Sequence, residues 1–142
     1  MDYSKNGLQL TEQFEACRLE AYQDGAGIWT IGYGHTGADV QAGMVITQDA
    51  AERLLLGDVW FAASCVNRVV KVPLTQGEFD ALVDFVFNVG IGNFSHSTML
   101  DYLNQGNYAA AADQFACWDK SGGVEVAGLL RRRMAEQKEF QS

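Results

Sequence analysis

The apolar positions of this chain change period several times, and those changes divide it into elements. From Ser4 onward Leu8, Leu10, Phe14 and Cys17 fit a short helix imperfectly, with Ser4 placed to cap it and an end expected near Glu20. Asp24 to Gly27, reading DGAG, is turn chemistry, and the following IWTIGYG alternates β-branched or aromatic residues with small ones, as a short strand does. Thr36 to Gly43 carries further turn residues, and Met44 to Ile46 reads as another short strand. The region predicts a hairpin or three-stranded sheet too slight to be stable alone. Helical periodicity then returns. Thr47 caps a helix running from Gln48 to Val69, with Ala51, Leu54, Leu55, Val59 and Ala62 as apolar contacts and Pro73 beyond its end. At 1.5 Å per residue such a helix is about 30 Å long, enough to link two lobes.

Thr75 and Glu78 open the second half with the spacing of a capping box. Phe79, Leu82, Val83, Val86 and Phe87 follow at helical spacing, and Phe85 and Val89 make this helix apolar on nearly all sides, so it belongs inside a core. Asn88, Gly90 and Gly92 end it. Ser97 or Thr98 caps a short helix reaching Asn104, Asn107 starts another through Phe115, and Val126 to Phe140 reads as the last. Neither an internal repeat nor a low-complexity linker interrupts this order. Trp60 and Trp118 have no evident place in it.

Composition narrows the classes. With 142 residues, 48% of them hydrophobic, the chain has the size of one domain and enough apolar surface for a core. No apolar run approaches the roughly 18 residues of a membrane span, and the start MDYSKNGLQL lacks the basic-then-apolar profile of a signal peptide. A soluble cytosolic protein is expected, without stable membrane insertion. Cys17, Cys65 and Cys117 cannot all pair within one chain and read as free thiols; with His35 and His96 the only imidazoles, neither a structural metal nor a cofactor is expected. A net charge of −8 argues against nucleic acid as a partner. Between Val72 and Asp119 stand six acids and no Lys or Arg, whereas Lys120, Arg131, Arg132, Arg133 and Lys138 crowd the tail, predicting a basic C-terminal patch on an acidic body.

The chemistry concentrates between Phe14 and Gly37. Glu15, Asp24 and Thr30 lie nine and then six residues apart, where the pattern passes from helix to strand. An acid at a helix C-terminus faces the negative end of the dipole, which raises its pKa as a general acid needs, while an acid in a polar turn stays ionised and can orient water. Thr30 on the following strand is placed to hold that water. Spacing alone is weak evidence among eighteen acids, and the same residues equally fit a surface acid, a turn-forming Asp and an ordinary strand Thr. His35 reads as structural rather than catalytic. Nothing matches a phosphate-binding loop, and DGAG lacks the repeated acids of a calcium loop.

The segment resembles the signature of the phage-type lysozymes, endolysins of glycoside hydrolase family 24, in which Glu, eight residues, Asp, five residues and Thr form the catalytic set. Glu15, Asp24 and Thr30 match it, with AYQD at Ala21 to Asp24 and TIGYGH at Thr30 to His35. ALVDFVFNVGIGNF, Ala81 to Phe94, is similar to the family's central buried helix, and GLLRRRMAE, Gly128 to Glu136, to its C-terminal helix, so nearly the whole chain is covered. The resemblance implies an α+β, mainly helical, two-lobed fold: a small lobe over residues 1–47 carrying an antiparallel sheet, a connecting helix over 48–70 and a helical lobe over 71–142, with the cleft between the lobes. It implies cleavage of the β-1,4 bond between N-acetylmuramic acid and N-acetylglucosamine in peptidoglycan, with Glu15 as acid and Asp24 and Thr30 positioning water. One arginine of Arg131 to Arg133 is expected to pair with Glu15; motif matching does not say which, and Arg132 is taken as that partner. It further implies a monomer that waits in the host cytoplasm until a holin opens the membrane. Ala16 stands where the family often has Gly, Val126 and Ala127 where it often has Leu-Pro, and the acidic net charge departs from its many basic members, so the Arg131 to Arg133 face is expected to aid approach to an anionic wall. A lytic transglycosylase, which needs one acid and no water, and a wall-binding or bacteriocin module are the competing readings.

Overall fold

Ser4 caps the first helix by accepting the Gly7 N–H on its hydroxyl at 3.2 Å, while its own N–H and O–H both donate to Asp80. In the computed structural model, which describes residues 1–142, the helix so started is α1, Lys5–Phe14. It ends six residues short of Glu20. The next stretch, RLEAYQ, is β1, Arg18–Gln23, although Arg, Leu, Glu and Ala all favour helix. Pairing overrides that preference: one edge of β1 runs antiparallel to β2, Trp29–Gly32, and on the other Ala21 donates to Met44 O and Ile46 to Leu19 O, both at 2.9 Å. The expected strand at Met44 to Ile46 amounts to a single bridge, Glu20 to Val45. A short β3, His35–Thr36, completes the order β1-β2-β3.

The helix α2, Gln48–Val69, has the expected bounds, and Thr47 caps it by accepting the Ala50 N–H at 3.1 Å. The capping box before α3, Gln76–Val89, is complete: Glu78 N–H donates to Thr75 Oγ1 at 3.1 Å and Thr75 N–H to Glu78 Oε1 at 2.7 Å. Beyond Gly90 the chain turns directly into α4, Ile91–Ser95, rather than staying irregular through Gly92. Ser97 caps α5, Thr98–Asn104, and Asn107 caps α6, Tyr108–Asp113, which gives way to a 3-10 turn at Phe115–Cys117. A hairpin absent from the sequence reading follows: β4, Lys120–Ser121, and β5, Val124–Glu125, around Gly122 and Gly123 with φ of 58° and 82°. The chain closes with α7, Ala127–Phe140.

These elements form two compact units, Met1–Leu10 with Phe61–Ser142, and Thr11–Trp60. The first is helical around Phe85, whose ring meets Phe94, Phe115 and Trp118 edge-on at centroid distances of 6.2, 5.4 and 5.6 Å, which gives Trp118 its place. Trp60 is 62% exposed. No helix is long and apolar enough to cross a membrane.

Two acids of α3 sit in this core. Asp80 receives Ser4 and Gln76, and fully buried Asp84 receives Nε and Nη2 of Arg132 at 3.0 and 2.8 Å. Beside them Arg133 Nε lies 2.6 Å from Glu136 Oε1, Arg133 Nη2 donates to Asn88 Oδ1 at 2.9 Å, and the Arg133 guanidinium lies 5.0 Å from the Phe85 ring centre. Two of the five basic residues of the predicted patch, Arg132 and Arg133, are therefore internal, while Lys120, Arg131 and Lys138 stay exposed. Three consecutive helix residues fan over roughly 200°, so they cannot share one face. Arg132 and Arg133 turn into the contact with α3, where Asp84 and Glu136 meet them, and of the three only Arg131 stays exposed. Burial, and then the neighbouring Asp84, push the Glu136 pKa up; Arg133 and Arg132 act against them.

Removing one partner leaves a buried charge uncompensated, so Asp84→Ala is predicted to cost about 3–5 kcal/mol of unfolding free energy, against within about 0.5 kcal/mol for Arg131→Ala. Urea denaturation of both variants checks the contrast.

Candidate active site

All three residues singled out by spacing fall in the Thr11–Trp60 unit. Glu15 is the first residue beyond α1, and its N–H still closes the last helical turn on Thr11 O at 3.1 Å. The half-buried Glu15 carboxylate thus stays at the negative end of α1, although the helix stops earlier than predicted. Arg132, the fourth residue, belongs to the helical unit, bonded to Asp84.

Asp24 and Thr30 flank the β1–β2 turn, and one residue between them holds both. Ile28 N–H donates to Asp24 Oδ1 at 2.9 Å, and Ile28 C=O accepts the Thr30 hydroxyl at 3.0 Å. Ala26 N–H adds a second bond to Asp24 Oδ1 at 2.8 Å, and the Asp24 and Ile28 main chains close the turn at 2.9 Å. The turn needs Gly27, whose φ of 78° suits a residue without Cβ. Thr30 is 4% exposed, paired with Tyr22 of β1 on one side and Thr36 of β3 on the other.

This bonding has a chemical consequence. Both protein donors to the Asp24 carboxylate reach Oδ1, leaving Oδ2 to accept from something else. The Thr30 hydroxyl has spent its proton on Ile28 and presents only lone pairs. A water between the two would donate one hydrogen to Asp24 Oδ2 and the other to Thr30 Oγ1, leaving its own lone pair free for attack.

His35 supports the sheet. Nδ1 lies 2.9 Å from Asp58 Oδ2 on α2, and Nε2 lies 3.1 Å from Asp39 Oδ2. Carboxylates only accept, so the arrangement calls for a proton on both nitrogens. Burial lowers the His35 pKa, but hydrogen bonds and charge from Asp58 and Asp39 outweigh it and the net shift is upward; the His35 bond lowers Asp39. The structural reading of His35 thus gains a mechanism: it staples β3, and with it the strand partner of Thr30, to α2. A second polar cluster had no sequence signal. Gln48 Nε2 donates to Tyr33 Oη at 2.8 Å, Cys17 Sγ lies 3.8 Å from Gln48 Oε1, and Glu12 is pushed up by burial and by Glu52. Cys17, Cys65 and Cys117 are free thiols. The helical unit has its own open cavity of about 590 Å³, with Trp118, Asn93, His96 and Thr98 among its lining.

The chain was compared with known proteins. The family described as phage lysozyme matches residues 12–136. The endolysin of Bacillus phage PZA is 46% identical over 144 residues, covering 100% of this chain and 56% of that protein. The chain therefore spans just over half the length of that relative. A crystal structure of a P22 lysozyme mutant superposes with a TM-score of 0.94 at 41% identity, covering 100% of this chain and 99% of that one. The muramidase domain of SpmX from Asticaccaulis excentricus gives a TM-score of 0.91 at 38% identity, covering 99% and 98%.

A raised histidine pKa stabilises the fold fully below the unfolded value of about 6.5 and ceases to do so as pH rises through the folded value. The wild-type chain is therefore predicted to lose stability from about pH 6.5 upward, and His35→Asn to remove that loss, as read by urea midpoints across the pH range.

Proposed function

The chain belongs to the phage lysozyme family, and from that membership we propose that it is an endolysin: a glycosidase that hydrolyses the β-1,4 bond between N-acetylmuramic acid and N-acetylglucosamine of peptidoglycan and so lyses the bacterial host. The observation that supports the reading is that Asp24 and Thr30 are both bonded to the main chain of Ile28, an ionisable acceptor and a hydroxyl acceptor that together suit one water. Hydrolysis needs such a water, and a transglycosylase has no use for it.

In this mechanism Glu15 gives its proton to the glycosidic oxygen as the bond to the leaving sugar breaks. Positive charge develops on the ring, and the water between Asp24 and Thr30 attacks the anomeric carbon. Asp24 takes up the proton that the water loses. Glu15, now ionised, is proposed to have Arg132 as its charge partner. Trp118 offers a flat apolar face, and Asn93 and Thr98 offer hydrogen-bonding groups, so the cavity they line suits further contacts with a glycan. The acidic surface does not favour an anionic wall, and the burial of Arg132 and Arg133 leaves approach to the contacts within the site. We further propose that the chain acts as a monomer and reaches the wall from the host cytoplasm after a holin has permeabilised the membrane.

Glu15→Gln is predicted to lower the rate of turbidity loss on permeabilised Gram-negative cells by at least about 100-fold with an unchanged circular dichroism spectrum. Thr30→Ser, which keeps the hydroxyl, should retain more activity than Thr30→Val. Unchanged lysis by Glu15→Gln would remove the assignment of the acid.

A further inference from the structure

On β1 the guanidinium of an arginine sits over a tyrosine ring, beside the strand that carries Thr30. The Arg18 guanidinium carbon is 4.3 Å from the centre of the Tyr22 ring, well within cation–π range. Tyr22 is the cross-strand partner of Thr30, so the two side chains leave the sheet on the same face, with Cβ atoms about 4.5–5.5 Å apart. Arg18 is paired with Gly32, one further step along β2. A register shift between Arg18 and Tyr22 breaks the regular alternation of β1, and the stacking contact shows that both end on one face. That face therefore carries Thr30, the Tyr22 ring and, further from the turn, a guanidinium.

Arg18 is exposed, Tyr22 is half-buried, and the stack is the interaction Arg18 makes; it forms no ion pair, in a chain with eighteen acids and a net charge of −8. A ring beneath the guanidinium restrains a side chain that otherwise loses much rotamer freedom on binding, and a guanidinium held by its face keeps its N–H donors for another partner. Such donors match a planar carboxylate through two parallel hydrogen bonds. The proposed substrate carries carboxylates: its muramic acid units bear peptides with free carboxyl groups.

We propose that Arg18, laid over Tyr22, is a specificity-determining contact that binds a carboxylate of the wall peptide attached to the glycan. The inference rests on the peptidoglycan reading and deepens it. It gives the enzyme a way to prefer peptide-substituted strands over bare sugar. Only one guanidinium is involved, so the effect on binding is a preference and not an absolute requirement.

The test is direct binding of a disaccharide-peptide, N-acetylglucosaminyl-N-acetylmuramoyl peptide, in which the type of bond proposed to be cut is absent. Its affinity for the full chain, followed by chemical-shift titration, is compared with that of the same compound after conversion of its carboxylates to carboxamides. The free-acid form is expected to bind about three- to tenfold tighter, as a partly exposed charge-assisted pair does. Arg18→Gln should bind both forms alike, and Arg18→Lys, which keeps the charge but loses the planar fork, should retain part of the preference. A preference that survives Arg18→Gln, equal affinities for the wild-type chain, or no binding of either form overturns the proposal. Loss of the glycosidase reading would show separately, as a wild-type chain that releases no reducing ends from intact peptidoglycan.

Discussion

Ile28 uses both of its main-chain groups on the same site, its N–H holding the Asp24 carboxylate and its C=O holding the Thr30 hydroxyl. The proposed orientation of the attacking water rests on that division, because it leaves one oxygen of Asp24 and the lone pairs of Thr30 as acceptors. The rest of the small unit keeps the residue in place. The turn closes between Asp24 and Ile28, Gly27 supplies its positive φ, and β1 and β2 register Tyr22 against Thr30. His35, stapled between Asp58 and Asp39, then holds the outer strand to α2. A three-stranded sheet of this length has little stability of its own, so such ties to a long helix decide whether the site exists at all.

The helical unit meets a different constraint, the burial of charge. Asp84, Arg132, Arg133 and Glu136 are each less than a tenth exposed; Arg132 pairs with Asp84 across α3 and α7, and Arg133 with Glu136 along α7, although Arg133 Nε and Nη1 and Glu136 Oε1 lack a well-formed hydrogen bond. Such a set adds less stability than its short distances suggest, because every member has been taken out of water. It does fix how the two helices meet, since a rotation of α7 would strand a charge.

Local signals made several elements legible in the sequence. Thr47 and the Thr75–Glu78 pair announced α2 and α3, and apolar periodicity supplied their lengths. The failures have physical causes. RLEAYQ is made largely of helix formers and becomes a strand only because Trp29–Gly32 and the 44–46 segment pair with it. Counting charge along the chain assigned Arg132 and Arg133 to the surface, where a count has no access to the acids of α3. The spacing of Glu15, Asp24 and Thr30 was readable, but the residue that ties Asp24 to Thr30 was not: Ile28 acts through its backbone, which leaves no side-chain signature. His35 and Asp58 stand 23 residues apart, a separation that no local pattern connects.

The central claim is that a water held by Asp24 and Thr30 attacks the sugar. Digestion of purified peptidoglycan in water enriched in oxygen-18, followed by mass spectrometry of the fragments, tests it most directly. The account predicts reducing muramic acid ends that each carry one heavy oxygen at the anomeric position. Unlabelled 1,6-anhydro ends would contradict it, because the muramic acid hydroxyl would then have taken the place of the water.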